Sequence, residues 1–504
     1  MKQIVLWLVM LSSACVTVSK KDKSMDIWYK GSVEEAFVEA EKSNKPLFLY
    51  WGAVWCPPCN EIKSEVFSKP RFAELMDRYI PVYLDGDTDQ AQIWADKLQA
   101  YGYPTILILD HKKKELMRLS SGVNLKEFEI ALAGSQNNSL EILVDKAKDN
   151  QLHQDEWRSL AYAAWGQLPE DTYPAIKKWQ IMNDLVRKVP KSYKLESSLI
   201  CSQYLVSGAS LDKKEFSKEH KETKKSLESC LAKIFENHQT LTANRAFING
   251  SGADILSWAY PDFKDKDYLL WKNKWLKAAD MLADSDSISV DTRLWAVYPH
   301  LEFFKQENKE AQYPNSIKSR VESAVSKADQ EAKSKYERHS VISGAAYLLR
   351  LVGSYEKAKG LLLKELELTD TPWYYQSSLS SLASARGLDQ EALQWSEKAR
   401  KSAKGRATRL QWISNDLLLT AKLEAKDQRV RLLSLVGEYY ELATQLKDGF
   451  SGRNQFRAKR VSDSLQKWKK DGEFRQLIAT YKGRCDSLQG QSLDNCRKHF
   501  GSLL

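Results

Sequence analysis

Three regimes of hydrophobic patterning follow one another along the chain. Ile4 to Leu11 is a run of eight apolar residues behind the short positive start Met1-Lys2-Gln3. From Ser32 to Ala40 apolar and charged residues alternate at helical spacing. Ser32 is a candidate N-cap with Glu35 three positions on, which predicts a helix. Pro46 to Trp51 is a continuous apolar stretch of strand length, the pattern of a central strand covered on both faces. A new helical pattern then runs through Ile62, Val66 and Phe67. From Leu140 the strand pattern disappears and apolar residues recur at spacings of three and four among Lys, Glu, Gln and Ser. About 355 residues therefore read as helical. The predicted architecture is an α/β domain over 27–140 followed by a large all-α region over 145–504.

Proline usage agrees with this division. Six of the 13 prolines lie between Pro46 and Pro104 and none follows Pro372, as expected of a turn-rich front and a helical rear. With 504 residues, 43% hydrophobic and 28% charged, the composition is that of a soluble globular protein of roughly two to four domains. It excludes a disordered chain, a multi-spanning membrane protein and a single small fold. The formal charge of +10 comes from Lys and Arg interleaved with Asp and Glu, so no basic stripe offers itself to a phosphate backbone. Nucleic acid is not an expected partner.

The first apolar run is too short for a bilayer core that needs about 20 residues. Followed by Ser12-Ser13-Ala14-Cys15, it reads as a secretory signal peptide over 1–14. The ending resembles a bacterial lipobox, although Ser12 stands where that motif usually has Leu. Lipidation of Cys15 is preferred here over ordinary cleavage after Ala14, with residues 15–26 as a polar tether. The expected location is the bacterial periplasm or cell envelope, with the lipid as the attachment to the membrane. The six other cysteines fall by proximity into three pairs that an oxidising compartment can close: Cys56 with Cys59, Cys201 with Cys230, and Cys485 with Cys496. The last pair is expected to close a helix-turn-helix through Gly490. A metal site built from Cys485, Cys496 and His499 lacks a fourth ligand.

The candidate chemistry lies in Trp55-Cys56-Pro57-Pro58-Cys59, where a predicted strand feeds a C-x-x-C at the start of a helix. Helix N-terminal amides and the macrodipole stabilise a thiolate, so Cys56 is expected to be the exposed, acidic nucleophile and Cys59 the more buried thiol. Zinc is the competing use of such a motif. No second C-x-x-C or nearby His pair completes four ligands, and no metal or cofactor is expected.

With these residues the segment resembles the thioredoxin family. Ile80 to Asp85 corresponds to the next strand, Ile93 to Ala100 to a helix, Gly102-Tyr103-Pro104-Thr105 to the cis-proline loop, Ile106 to Asp110 to a strand and Leu116 to Leu119 to its hairpin partner. Glu65 to Phe72 resembles the branch containing the periplasmic thioredoxin domain of transmembrane disulfide reductases. The resemblance implies that Cys56 attacks a substrate disulfide, Cys59 resolves the mixed disulfide, Pro104 is cis, and Tyr103 hydrogen-bonds the bound chain through its backbone. Trp51 and Trp55 correspond to the family's aromatic neighbours of the site, with Trp55 placed for substrate contact. There is one departure: Tyr50 occupies the position six before Cys56 where thioredoxins usually carry a buried carboxylate.

In the helical part, Gly353 and Gly387 are 34 residues apart, as are Ala358 and Ala392. That is the tetratricopeptide length, and the segments around these residues resemble the junction of its two helices. The repeats are clearest over about 340–445, and Ala421 replaces the glycine of a third. Such stacked pairs leave a concave surface suited to polypeptides; a merely packed helical domain is the alternative. Trp157, Trp165, Trp179, Trp258, Trp271, Trp275 and Trp295 are expected in the core. The sequence therefore points to an exported thiol-disulfide oxidoreductase. Its expected partners are proteins with disulfides or thiols and an upstream electron donor or acceptor protein. The competing class is an envelope scaffold whose helical array binds polypeptides and whose redox module is regulatory or structural.

Overall fold

The alternation that predicts the first helix also builds its cap. In the computed structural model, α1 (Val33–Ser43) opens on a capping box: Ser32 Oγ accepts from the Glu35 amide at 3.1 Å, and the Glu35 carboxylate accepts from the Ser32 amide at 2.8 Å. The structure describes residues 27–134, 138–211, 220–423 and 428–504. The signal peptide, the tether and Cys15 lie outside the described residues.

β1 (Leu47–Gly52) is buried along its whole length. It pairs in parallel with β2 (Ile80–Asp85), Tyr50 opposite Tyr83, and antiparallel with β3 (Thr105–Leu109), Tyr50 opposite Ile106. β4 (Glu115–Leu119) completes a four-stranded mixed sheet of order β2-β1-β3-β4. The continuous apolar run of β1 has its cause in this central place. Leu47, Leu49 and Trp51 pack with Phe37 of α1 on one face, while Phe48 and Tyr50 meet Phe67, Phe72 and Phe128 on the other. α2 (Pro57–Ile62) follows β1, continues as a π-helical turn over Lys63–Phe67, and gives way to α3 (Pro70–Met76). α4 (Asp89–Lys97) begins four residues before the stretch matched to a helix in the sequence, because Thr88 caps it by accepting from the Ala91 amide. α5 (Leu125–Ala133) closes the domain.

All regular elements described from Leu140 onward are helices, joined at Leu119 and Ala163 by one isolated bridge to the edge strand β4. The 34-residue spacing falls on two antiparallel pairs, Lys335–Leu351 with Tyr355–Leu366 and Pro372–Ala385 with Asp389–Ser402. Gly353 (φ +75°) and Gly387 (φ +69°) occupy the left-handed turn inside each pair. The register changes at the third unit, since Ala421 lies inside the helix Arg406–Leu423 instead of at a turn. Disulfides join Cys201 to Cys230 and Cys485 to Cys496. One hydrophobic core runs from the sheet into the helices without interruption, from Phe48 through Phe128 and Trp157 to Trp275. Within this continuous core Arg245 of the helical part makes a bidentate ion pair with Glu127 of α5 at 2.6 and 2.9 Å, both nearly buried.

Candidate active site

Cys56 is the N-cap of α2, with extended backbone, and its Sγ accepts from the Cys59 amide at 3.3 Å. Pro57 and Pro58 have no N–H, so Cys59 supplies the first amide that can face the sulfur. Asn60 fixes the approach loop from beneath: it is 2% exposed and its Nδ2 donates to the carbonyls of Val54 and Cys56, both at 2.9 Å. The loop before β3 supplies the other wall. Its Tyr103–Pro104 bond is cis. The Tyr103 ring lies 4.3 Å from that of Trp51 and 5.7 Å from that of Trp55, and its hydroxyl donates to Gly86 O at 3.0 Å. Cys56, Cys59, Trp55, Tyr103 and Pro104 are thus gathered at one end of the sheet. Cys201, Cys230, Cys485 and Cys496 lie in their two disulfides in the helical part. Among the described residues no group of three His, Cys, Asp or Glu side chains is placed to hold a metal ion.

Neither thiol is open. Cys56 is 4% exposed and Cys59 is fully buried, which corrects the expectation of an exposed Cys56. The cover comes from the far end of the chain. The Trp55 indole stacks on Tyr374 at 5.9 Å and meets Trp412 edge-on at 6.3 Å. Its Nε1 donates to Asp87 Oδ1 at 3.0 Å and to Thr408 Oγ1 at 3.3 Å, and the Thr408 hydroxyl donates to the same Asp87 oxygen. The Lys335–Leu351 helix packs on α2, while Arg406–Leu423 and Gly452–Leu465 pack on α4. The Arg453 guanidinium sits 4.2 Å over the Tyr103 ring. At Gly405, which holds φ +77°, the array backbone comes so close that a Cβ would stand 2.4 Å from the Asp87 carbonyl oxygen.

This cover changes the electrostatics. Burial pushes the Cys56 thiol up, and its hydrogen bond with Cys59 adds to the rise against the opposing Cys59 amide and Lys63. Burial also opposes ionisation of Cys59. There the Cys56 hydrogen bond, the Ala53 backbone and Lys63 outweigh it and bring the thiol below its ordinary range. The two thiols share a hydrogen bond and titrate as one buried pair, and burial of Cys56 opposes the low pKa that a helix terminus in water would give it.

Tyr50 is 1% exposed and stacks on Tyr83 at 5.3 Å. Its hydroxyl is buried beside the dithiol, and burial, the charges of the adjacent cysteines and Tyr83, and its interaction with Cys59 raise its pKa well above the ordinary value. It cannot serve as a proton acceptor near neutral pH. Glu61 faces the array instead, its Oε1 accepting from Ser289 at 2.6 Å and Thr292 at 3.3 Å. Sequence reasoning missed Lys63, which is 9% exposed with its Nζ 5.5 Å from the Tyr83 ring centroid and 6.0 Å from that of Tyr336. It also missed Asp87, Tyr374, Thr408 and Trp412. No local pattern marks Tyr374, Thr408 and Trp412, since their roles arise from contacts across hundreds of positions.

Residues 27–111 match the thioredoxin-like family. The match ends before β4 and α5, which complete the sheet and its covering layer in the structure. The chain matches no curated protein. A thioredoxin-like domain of this kind supports redox activity in general terms.

Proposed function

We propose that the protein is a thiol-disulfide oxidoreductase acting on protein cysteines through Cys56 and Cys59. The observation that carries this reading is the placement of both thiols at the start of α2 against the cis Tyr103–Pro104 loop. In the reducing direction the Cys56 thiolate attacks a substrate disulfide, one substrate sulfur leaves as a thiolate, and a mixed disulfide forms. Cys59 then gives up its proton and attacks Cys56, so the substrate gains two thiols and the protein holds a Cys56–Cys59 disulfide. An external dithiol protein returns it to the reduced state; the reverse sequence oxidises a substrate. The helical array recruits the partner, and export with a lipid on Cys15 places the reaction at the cell envelope. Reduction of insulin disulfides tests this proposal: wild type is active and Cys56→Ser is inactive, and equal rates for the two overturn it.

The burial of both sulfurs favours a second reading, in which the array is the working part of a scaffold and the dithiol is structural or regulatory. Under that reading Cys56→Ser retains partner binding, and no variant that uncovers the dithiol gains exchange activity.

A further inference from the structure

A cavity of about 690 Å³ lies between Pro57-Pro58 of α2 and the inner face of the helical array. A second cavity of about 300 Å³ opens on the far side of a neck formed by Asp291, Trp295 and Tyr298, which line both spaces. Asp291 Oδ1 is buried at this neck and has no hydrogen-bond partner; Ser343 Oγ on the wall of the larger cavity is also buried and unpartnered. The carboxyl of Glu61 lines the smaller cavity and acts electrostatically on Asp291. Of the basic groups on these walls, Arg245 is held by Glu127 and by the Gly122 carbonyl, and Arg350 lies 5.0 Å over the Tyr347 ring.

A buried carboxyl with an empty acceptor position is costly unless something pairs with it. Burial, with a contribution from Glu61, raises the Asp291 pKa well above its ordinary value against a hydrogen bond with Trp295 that lowers it. Trp295, Tyr298, Tyr374 and Trp412 line the larger cavity with it. A carboxyl at the end of an aromatic-lined space is the chemistry that receives an ammonium or guanidinium group, combining a charge-assisted hydrogen bond with cation–π attraction.

We propose that this neck is a recognition site for a basic side chain of the polypeptide substrate, with Asp291 as its counter-charge. The proposal rests on the exchange function above and names its substrate class: cysteine-bearing polypeptides with Lys or Arg close in sequence to the reacting cysteine. The larger cavity begins at the two prolines that directly follow Cys56, and an extended chain advances about 3.3–3.6 Å per residue. Once the array has opened enough to admit a substrate cysteine to Cys56, a side chain entering this cavity belongs to a residue near that cysteine in sequence. Ser343 Oγ is available to the backbone of the same segment.

The test has two arms. In calorimetric titration of the full chain, a cysteine-free lysine peptide binds wild type, and both acetylation of its lysine and the substitution Asp291→Asn weaken binding about ten-fold or more, the scale of one hydrogen bond to a charged group. Failure of the lysine peptide to bind, or equal binding by Asp291→Asn, overturns the proposal. In the second arm, disulfide peptides carrying lysine or acetyl-lysine three residues from cysteine are compared by kcat/KM. Wild type prefers lysine, Asp291→Asn loses the preference, and its rate with neutral hydroxyethyl disulfide stays unchanged. Exchange without any charge preference overturns the recognition site while leaving the redox function standing. Absence of all exchange together with selective lysine binding removes the redox reading alone.

Discussion

Replacing Gly405 by alanine is expected to uncover the dithiol, and Gly387→Ala is its matched control. Both glycines hold positive φ, +77° and +69°, so each substitution carries the same backbone penalty of about 1–2 kcal/mol. Their surroundings differ. A Cβ at Gly387 meets nothing within 4 Å, whereas one at Gly405 lies 2.4 Å from Asp87 O, 2.9 Å from Asp87 Cβ and 3.2 Å from Asp87 C. Two of those atoms are backbone and cannot swing aside. Overpacking of this kind costs about 1–3 kcal/mol, and the cost vanishes when the array lifts from the Asp87 loop. The open population should therefore rise about 5- to 150-fold in Gly405→Ala and stay near wild type in Gly387→Ala. The assay is alkylation of the reduced protein by iodoacetamide at fixed pH, with Cys56 and Cys59 quantified separately by peptide mass spectrometry. Labelling of Cys56 in Gly405→Ala no faster than in Gly387→Ala would refute the argument that this contact keeps the site closed.

Three further outcomes are expected. Arg245→Met leaves the Glu127 carboxylate buried without its partner and costs about 3–5 kcal/mol in denaturant unfolding, most of which the double variant with Glu127→Gln restores; equal stabilities of the single and double variants would exclude an ion pair of this kind. Tyr50→Asp supplies the missing proton acceptor and speeds resolution of the mixed disulfide in stopped-flow measurements, while Glu61→Gln, already engaged by Ser289 and Thr292, changes it little; wild-type resolution as fast as attack would show that Tyr50 imposes no limit. His499 is buried with its Nε2 2.8 Å from the Tyr440 hydroxyl, and burial lowers its pKa from 6.5 to about 4. Its neutral form is the folded one, so the stability it contributes is complete above pH 6.5 and falls between pH 6.5 and about 4, by about 3 kcal/mol in total. Thermal melting across that window should flatten in His499→Gln, and an unchanged slope would place the titration elsewhere.

The sheet was legible because its signals are local. An unbroken apolar run becomes β1, Ser32 with Glu35 makes a capping box, and the 34-residue glycine spacing falls on two left-handed turns. The components of the site were legible for the same reason, each lying within a few residues of Cys56 or Pro104. Its accessibility was not. Helix-terminus electrostatics predict an acidic, open Cys56, and that argument holds only while the sulfur faces water. Tyr374, Trp412 and Thr408 remove the water, and nothing near them in sequence indicates that they meet Trp55. Trp295 shows a similar limit: it reads as core at helical spacing, yet it stands half-buried between two cavities because its neighbours leave space there.

The hydrogen bond from Trp55 to Thr408 spans 353 positions of sequence. Closing so long a loop is entropically expensive, and synthesis delivers the N-terminal domain first. β1 to β4 and α1 to α5 are complete before residue 134, so the thioredoxin-like sheet has all its own parts long before residues 372–465 exist to cover it. In the order of synthesis the dithiol is therefore made well ahead of its cover, which the helix ending at Leu465 completes. The order of the domains along the chain thus separates the dithiol from its enclosure by the time needed to make about 330 residues, from 134 to 465.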